Sequence, residues 1–180
     1  MTAFTSCSLS PSGTATNGPV EENEIYETIE KDAAYRSSIT SGSFANLSHG
    51  PTYYEYEGKG NEETIVFVHG FSVPSYIWDG LYDAALEKGY RALRMDLYGR
   101  GHSVNPEVRY NADLFATQIF ELLAYLDIQE PVNLVGVSMG GRVISQFAAT
   151  YPDLIQRLIY IDPSGFDVFK GTGYEDLDVT

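Results

Sequence analysis

From Thr64 onward the chain alternates between two hydrophobic rhythms. The short apolar, β-branched run TIVFV (64–68) and the segments RALRM (91–95), VNLVGV (132–137) and RLIYI (157–161) read as strands. Between them lie longer segments with helical spacing. YIWDGLYDAALEKG (76–89) ends at Gly89, a natural helix-stop residue. NADLFATQIFELLAYLDI (111–128) offers Asn111 or Asp113 as its cap, and MGGRVISQFAATY (139–151) stops before Pro152. Strands alternating with helices form right-handed βαβ crossovers. The predicted fold class is therefore α/β: a mostly parallel sheet with helices on both faces. No internal repeat is visible.

Upstream of Thr64 the pattern is weaker. Two strand-like pieces, around Phe44–Leu47 and Thr52–Tyr56, flank the turn residues His49, Gly50 and Pro51, which predicts a β-hairpin. Before them EENEIYETIEKDAAYR (21–36) places Ile25, Ile29 and Ala33 at four-residue spacing, the pattern of a weak amphipathic helix. Residues 1–23 are rich in Ser, Thr, Gly, Pro and Asn and are expected to be disordered, leaving 24–180 as the domain. From about residue 166 the periodicity fades.

Composition narrows the partners. Eleven Lys and Arg against 25 Asp and Glu give a net charge of −14, which argues against nucleic acid or an anionic membrane surface. No apolar run approaches the ~18 residues of a membrane span. A single cysteine, Cys7, excludes an internal disulfide and sits in a polar segment, away from any core pattern. FTSC followed by a flexible polar stretch resembles the cleavage end of a bacterial lipoprotein signal, although the basic start and apolar core of such a signal are missing. The default expectation is a cytoplasmic protein, with a lipoprotein as the alternative if the true start lies upstream of Met1.

The chemistry centres on Ser138 in NLVGVSMGGRVISQ (133–146), where a strand meets a helix. Gly136 and Gly140 stand two residues to either side. A nucleophile on a sharp turn needs such gaps, because side chains there would collide with neighbouring backbone. The helix that follows aims its amides and dipole at the reacting centre. A second strand delivers His69-Gly70 and then Phe71, whose backbone N–H pairs with that of Met139 as an oxyanion hole. His69 is expected to be a hydrogen-bonded scaffold residue rather than the base, and His102, in DLYGRGHS (96–103), a member of a loop held by local hydrogen bonds. Gly99-Arg100-Gly101 lacks the full glycine and lysine pattern of a phosphate-binding loop.

H-G-F (69–71), D-L-Y-G-R-G-H-S (96–103), G-V-S-M-G-G (136–141) and LIYIDPSG (158–165) follow the order and spacing of the α/β-hydrolase superfamily. More narrowly, they resemble its esterase, lipase and peroxidase-like branch. The resemblance implies Ser138 as nucleophile, Phe71 and Met139 as oxyanion donors, and acyl transfer on a small-molecule carboxylic ester, with no cofactor or metal. Haloperoxidase-like and C–C bond hydrolysis use the same elbow and stay open. Haloalkane dehalogenase and epoxide hydrolase are disfavoured, since those branches use aspartate as nucleophile. An apolar acyl group would suit Phe71, Tyr76, Ile77 and Trp78, which are equally readable as helix core.

The pattern also breaks. The family order is Ser, then Asp or Glu, then His. All three histidines, His49, His69 and His102, precede Ser138. The family often has an Asp-Pro at Asp162-Pro163 without a catalytic role, and Asp167, Asp176 and Asp178 are weaker candidates for the acid. Base and acid are thus missing. The chain is expected to be the N-terminal part of a longer serine hydrolase, inactive alone. The strand at 158–161 would then lie at an edge with an apolar face, inviting self-association. The alternative is a non-catalytic binding or interaction module.

Overall fold

Among the residues that the computed structural model describes, 29–58 and 63–165, six strands form one sheet. They are β1 (Ser43–Leu47), β2 (Gly50–Glu57), β3 (Thr64–Val68), β4 (Arg91–Met95), β5 (Val132–Ser138) and β6 (Ile155–Pro163), in the spatial order β1-β2-β4-β3-β5-β6. The β4–β3, β3–β5 and β5–β6 pairs are parallel, and the β1–β2–β4 end is antiparallel. The helices are α1 (Ala33–Ser38), α2 (Asp79–Glu87), α3 (Ala112–Tyr125) and α4 (Met139–Thr150). Of residues 1–30 only Ile29 and Glu30 are described. The expectations for residues 1–23, Cys7 included, lie outside the described residues. Among the described residues no helix is long and apolar enough to cross a membrane.

The two faces of the sheet bury different residues, as the alternation along a strand requires. Val66, Val68, Leu93, Met95 and Leu134 join Phe115, Ile119, Leu122, Val143, Ile144 and Phe147 of α3 and α4 in the larger core. Phe67, Ala92 and Val135 face the other way and pack with Trp78, Tyr82 and Ala85, from α2 and the 3₁₀ turn ahead of it. Helices therefore cover both faces. The second face is the thinner one. In β6, Ile159 and Ile161 pair with Val135 and Val137 on the α2 side and stay 44% and 37% exposed. Tyr160, on the α4 side, is tied to Ser145 by a 2.9 Å hydroxyl–hydroxyl hydrogen bond.

Local chemistry explains the element ends. Asn111 caps α3 by accepting from the Leu114 N–H at 2.9 Å, which settles the cap in its favour, and Asp113 instead accepts from Gln146 at 2.7 Å. After α2 the Tyr90 N–H returns to the Ala85 carbonyl and the Gly89 N–H to that of Leu86, with Gly89 at φ +86°, a complete Schellman stop. The hairpin turns tighter than expected: Leu47 pairs with Gly50, so Gly50 and Pro51 already belong to β2. The helix expected over 21–36 is corrected for its described part, from residue 29 on. It starts only at Ala33, because the Asp32 carboxylate caps Tyr35 N–H at 2.8 Å. The residues before 29 lie outside the described range. Ile29 precedes the helix and is exposed, and α1 buries no residue, so no apolar stripe exists to extend it.

Candidate active site

β5 ends at Ser138 and α4 begins at the next residue, with no intervening loop. Ser138 absorbs the whole change of direction at φ +51°, ψ −121°, a conformation that costs a non-glycine residue about 1–3 kcal/mol. Its neighbours leave no room to relax. A Cβ at Gly136 would lie 2.6 Å from the Gly140 carbonyl oxygen, and one at Gly140 would lie 2.3 Å from the Val68 oxygen. The predicted gaps at both positions are therefore real steric requirements. From the other side, Ser164 N–H donates to the Ser138 carbonyl at 3.0 Å. Ser138 itself is exposed, and among the described residues no hydrogen bond engages its hydroxyl.

β3 brings the H-G-F segment against this turn. A Cβ on Gly70 would sit 3.2 Å from Ser138 Cβ and 3.7 Å from its Oγ. Phe71 follows directly, so its peptide borders the serine. Met139 opens α4 with an amide that has no partner within the helix. These are the two amides named from the sequence, and they flank Ser138 from β3 and from α4.

His69 fixes the first of these peptides. It is fully buried. Leu97 N–H donates to its Nε2 at 2.9 Å, so Nε2 is unprotonated and the ring proton is on Nδ1, which donates to the Gly70 carbonyl at 2.7 Å. The Gly70 carbonyl and the Phe71 N–H belong to one trans peptide and point in opposite directions. Holding the carbonyl on the histidine side therefore directs the Phe71 N–H away from it. Both ring nitrogens are occupied, so His69 is scaffold, as expected.

Burial pushes the His69 pKa below its ordinary value of 6.5, reinforced by the Arg100 charge and opposed by the Gly70 carbonyl and Asp96. Between that lowered value and about 6.5 the unfolded chain binds a proton that the folded one refuses, so stability rises with pH across this window. Its contribution is complete above about pH 6.5 and is lost as pH falls through the folded value. Urea titrations between pH 8 and pH 5 are expected to show the midpoint falling below about pH 6.5. The fall should be smaller in His69→Gln, whose amide donates and accepts without titrating.

His102 also behaves as a loop residue. Its backbone N–H donates to Asp96 Oδ2 at 2.8 Å, and its Nδ1 pairs with the Tyr35 hydroxyl at 2.8 Å. Buried Asp96 organises the whole segment, with Oδ1 accepting from Ser75 N–H at 2.8 Å and its carbonyl accepting from Ser103 Oγ at 2.6 Å. His49 stacks edge-on against Tyr98 at 6.0 Å. No histidine among the described residues reaches Ser138.

A cleft of about 490 Å3 opens beside Met139, walled by Arg109, Tyr110 and Phe115 on one side and Arg142, Val143 and Gln146 on the other. Sequence reasoning missed these walls. They come from the turn before α3, the first turn of α3 and the first half of α4, and only the Asn111 cap hints that Arg109 and Tyr110 are fixed there. The four residues expected around an acyl group divide. Trp78 is core, 5.3 Å from the Phe67 ring, the second of the two uses expected of it. Tyr76 lines a separate cleft of about 370 Å3 with His102, and Ile77 and Phe71 are exposed.

Residues 63–179 match the family described as alpha/beta hydrolase fold. This chain belongs to the α/β-hydrolase family. It is 37% identical over 106 residues to an uncharacterized protein of Mycobacterium tuberculosis, covering 59% of this chain and 30% of that protein. It is 31% identical over 135 residues to an sn-1-specific diacylglycerol lipase of Danio rerio, covering 74% of this chain and 40% of the lipase. An esterase from Exiguobacterium antarcticum superposes with a TM-score of 0.64 at 27% identity, over 69% of this chain and 46% of the esterase. This α/β hydrolase thus spans less than half the length of each of these three relatives. Esterases and lipases among its relatives support hydrolase chemistry in general.

Proposed function

We propose that this α/β-hydrolase chain carries the nucleophile and oxyanion donors of a serine ester hydrolase. The observation that supports it most is the strained Ser138 turn, with the Phe71 peptide against the serine and the Met139 amide at the start of α4. Ser138 Oγ attacks the ester carbonyl and the alcohol leaves with a proton, giving an acyl-enzyme that water hydrolyses to the acid. The Phe71 and Met139 amides stabilise the oxyanion in both steps. The Ser138 proton needs a base, and no histidine follows Ser138 in the sequence. Added imidazole supplies one. Turnover of p-nitrophenyl butyrate above the protein-free imidazole background, rising with imidazole in the wild type and absent in Ser138→Ala, supports the reading. Equal rates in the two proteins contradict it.

A second reading, a non-catalytic module that pairs through its sheet edge, is favoured by β6. Among the described residues this strand is an edge, and Ile159 and Ile161 stand open beside it. Sedimentation velocity is expected to show concentration-dependent self-association that Ile159→Lys weakens by about tenfold. A monomer at every concentration would rule this out.

A further inference from the structure

The G-R-G segment of the loop after β4 is absorbed neither by the fold nor by the proposed chemistry. Arg100 lies at φ-positive glycines on both sides, Gly99 at +76° and Gly101 at +50°, so the loop is shaped to turn this one side chain inward. Gly101 has no space for a side chain, since a Cβ there would fall 2.0 Å from Asp96 Oδ2. The loop is thereby anchored to buried Asp96, and Arg100 projects from a fixed base.

Its guanidinium ties the loop after β4 to the loop after β3. Nε–H donates to the Phe71 carbonyl at 3.1 Å and Nη1 to the Tyr98 carbonyl at 3.1 Å. The same group lies 4.8 Å from the Phe71 ring centre, 5.5 Å from that of Phe115 and 5.7 Å from that of Tyr110. Phe71 is 68% exposed and has little packing of its own. Its carbonyl belongs to the peptide after Phe71, while His69 holds the peptide before Phe71, the one that carries the proposed oxyanion amide. Fixing both flanking peptides fixes φ and ψ of Phe71. Phe115 and Tyr110, the other two rings, are walls of the cleft beside Met139.

We infer that Arg100 is the positioning residue of the oxyanion loop, clamping Phe71 by its carbonyl and ring and registering it against the Tyr110–Phe115 wall of the cleft. The inference rests on the assignment of the Phe71 amide as an oxyanion donor. Arg100 touches no reacting atom in this arrangement. It acts through Phe71, so its loss should leave substrate binding nearly intact and weaken the transition state. Lysine is no substitute, because one ammonium cannot donate in the planar fork that spans the Phe71 and Tyr98 carbonyls.

The test uses the 180-residue chain with p-nitrophenyl butyrate and imidazole, correcting every rate by that of Ser138→Ala. Arg100→Lys is expected to lower kcat by about 30-fold with KM within about twofold. Arg100→Ala should regain kcat when ethylguanidinium is added and not when ethylammonium is added. That rescue requires a folded site, so it separates positioning from a loss of fold. If Arg100→Lys keeps kcat within about threefold of wild type, or if the two cations act alike on Arg100→Ala, the inference is overturned while the Ser138 assignment stands. If the wild type itself shows no Ser138-dependent turnover, the assignment falls and the role of Arg100 falls with it.

Discussion

Gly140→Ala is expected to destabilise the chain by about 3 kcal/mol or more, the upper range for overpacking. The added Cβ would lie 2.3 Å from the Val68 oxygen and 2.7 Å from the His69 oxygen. Both atoms are backbone of the central strand and its exit, and neither can swing aside as a side-chain tip would. Relief requires α4 to move away from β3, which would open the packing of Val143, Ile144 and Phe147 in the larger core. Gly80 in α2 is the control. A Cβ there meets nothing within 4 Å, so Gly80→Ala should be neutral or stabilise by up to about 1 kcal/mol through helix propensity. Urea midpoints of the two variants should therefore move apart. A Gly140→Ala midpoint equal to wild type would contradict the geometry of the turn.

Ser138→Ala is expected to reduce imidazole-supported ester turnover by about 100- to 1,000-fold, leaving only what bound amides contribute without a nucleophile. Stability should change little, because alanine inherits the same strained backbone. Ser138→Gly separates the two roles more sharply. Glycine adopts φ +51°, ψ −121° without the side-chain penalty, so this variant should be equally inactive yet more stable by about 1 kcal/mol. Such opposite movement of stability and activity is what a strained functional residue predicts. Turnover retained in Ser138→Ala, measured against the imidazole background, would remove the serine from the chemistry.

Much of this architecture was legible because its signals are local. The short apolar runs read as strands, and the helical spacing of Leu114, Ile119 and Leu122 reads as a buried helix face. Gly136 and Gly140 were readable as clearances because the collision they avoid is with backbone, whose position a strand–helix turn dictates. His69 was readable as scaffold, whereas its tautomer needed the Leu97 N–H, 28 residues away in sequence. Helix content at residues 29–32 was overstated, since four-residue spacing of Ile29 and Ala33 says nothing about whether a surface exists to bury them. Trp78 looked equally like substrate contact and core because both uses want an apolar aromatic, and only its contact with Phe67 decides. The cleft walls and the Arg100 clamp were illegible for a common reason. Arg109, Phe115 and Arg142 meet only when α3 and α4 pack, and Arg100 meets Phe71 only across two βα loops.

The most direct measurement is the mass of the intact chain after incubation with a fluorophosphonate, with and without imidazole, followed by peptide mapping. A phosphonate is captured by an oxygen nucleophile beside an oxyanion hole and leaves a stable covalent mark. The predicted result is a single adduct on Ser138, forming faster with imidazole and absent from Ser138→Ala. An unmodified Ser138 in the presence of imidazole, or equal labelling of wild type and Ser138→Ala, would contradict the assignment of this turn as a nucleophile.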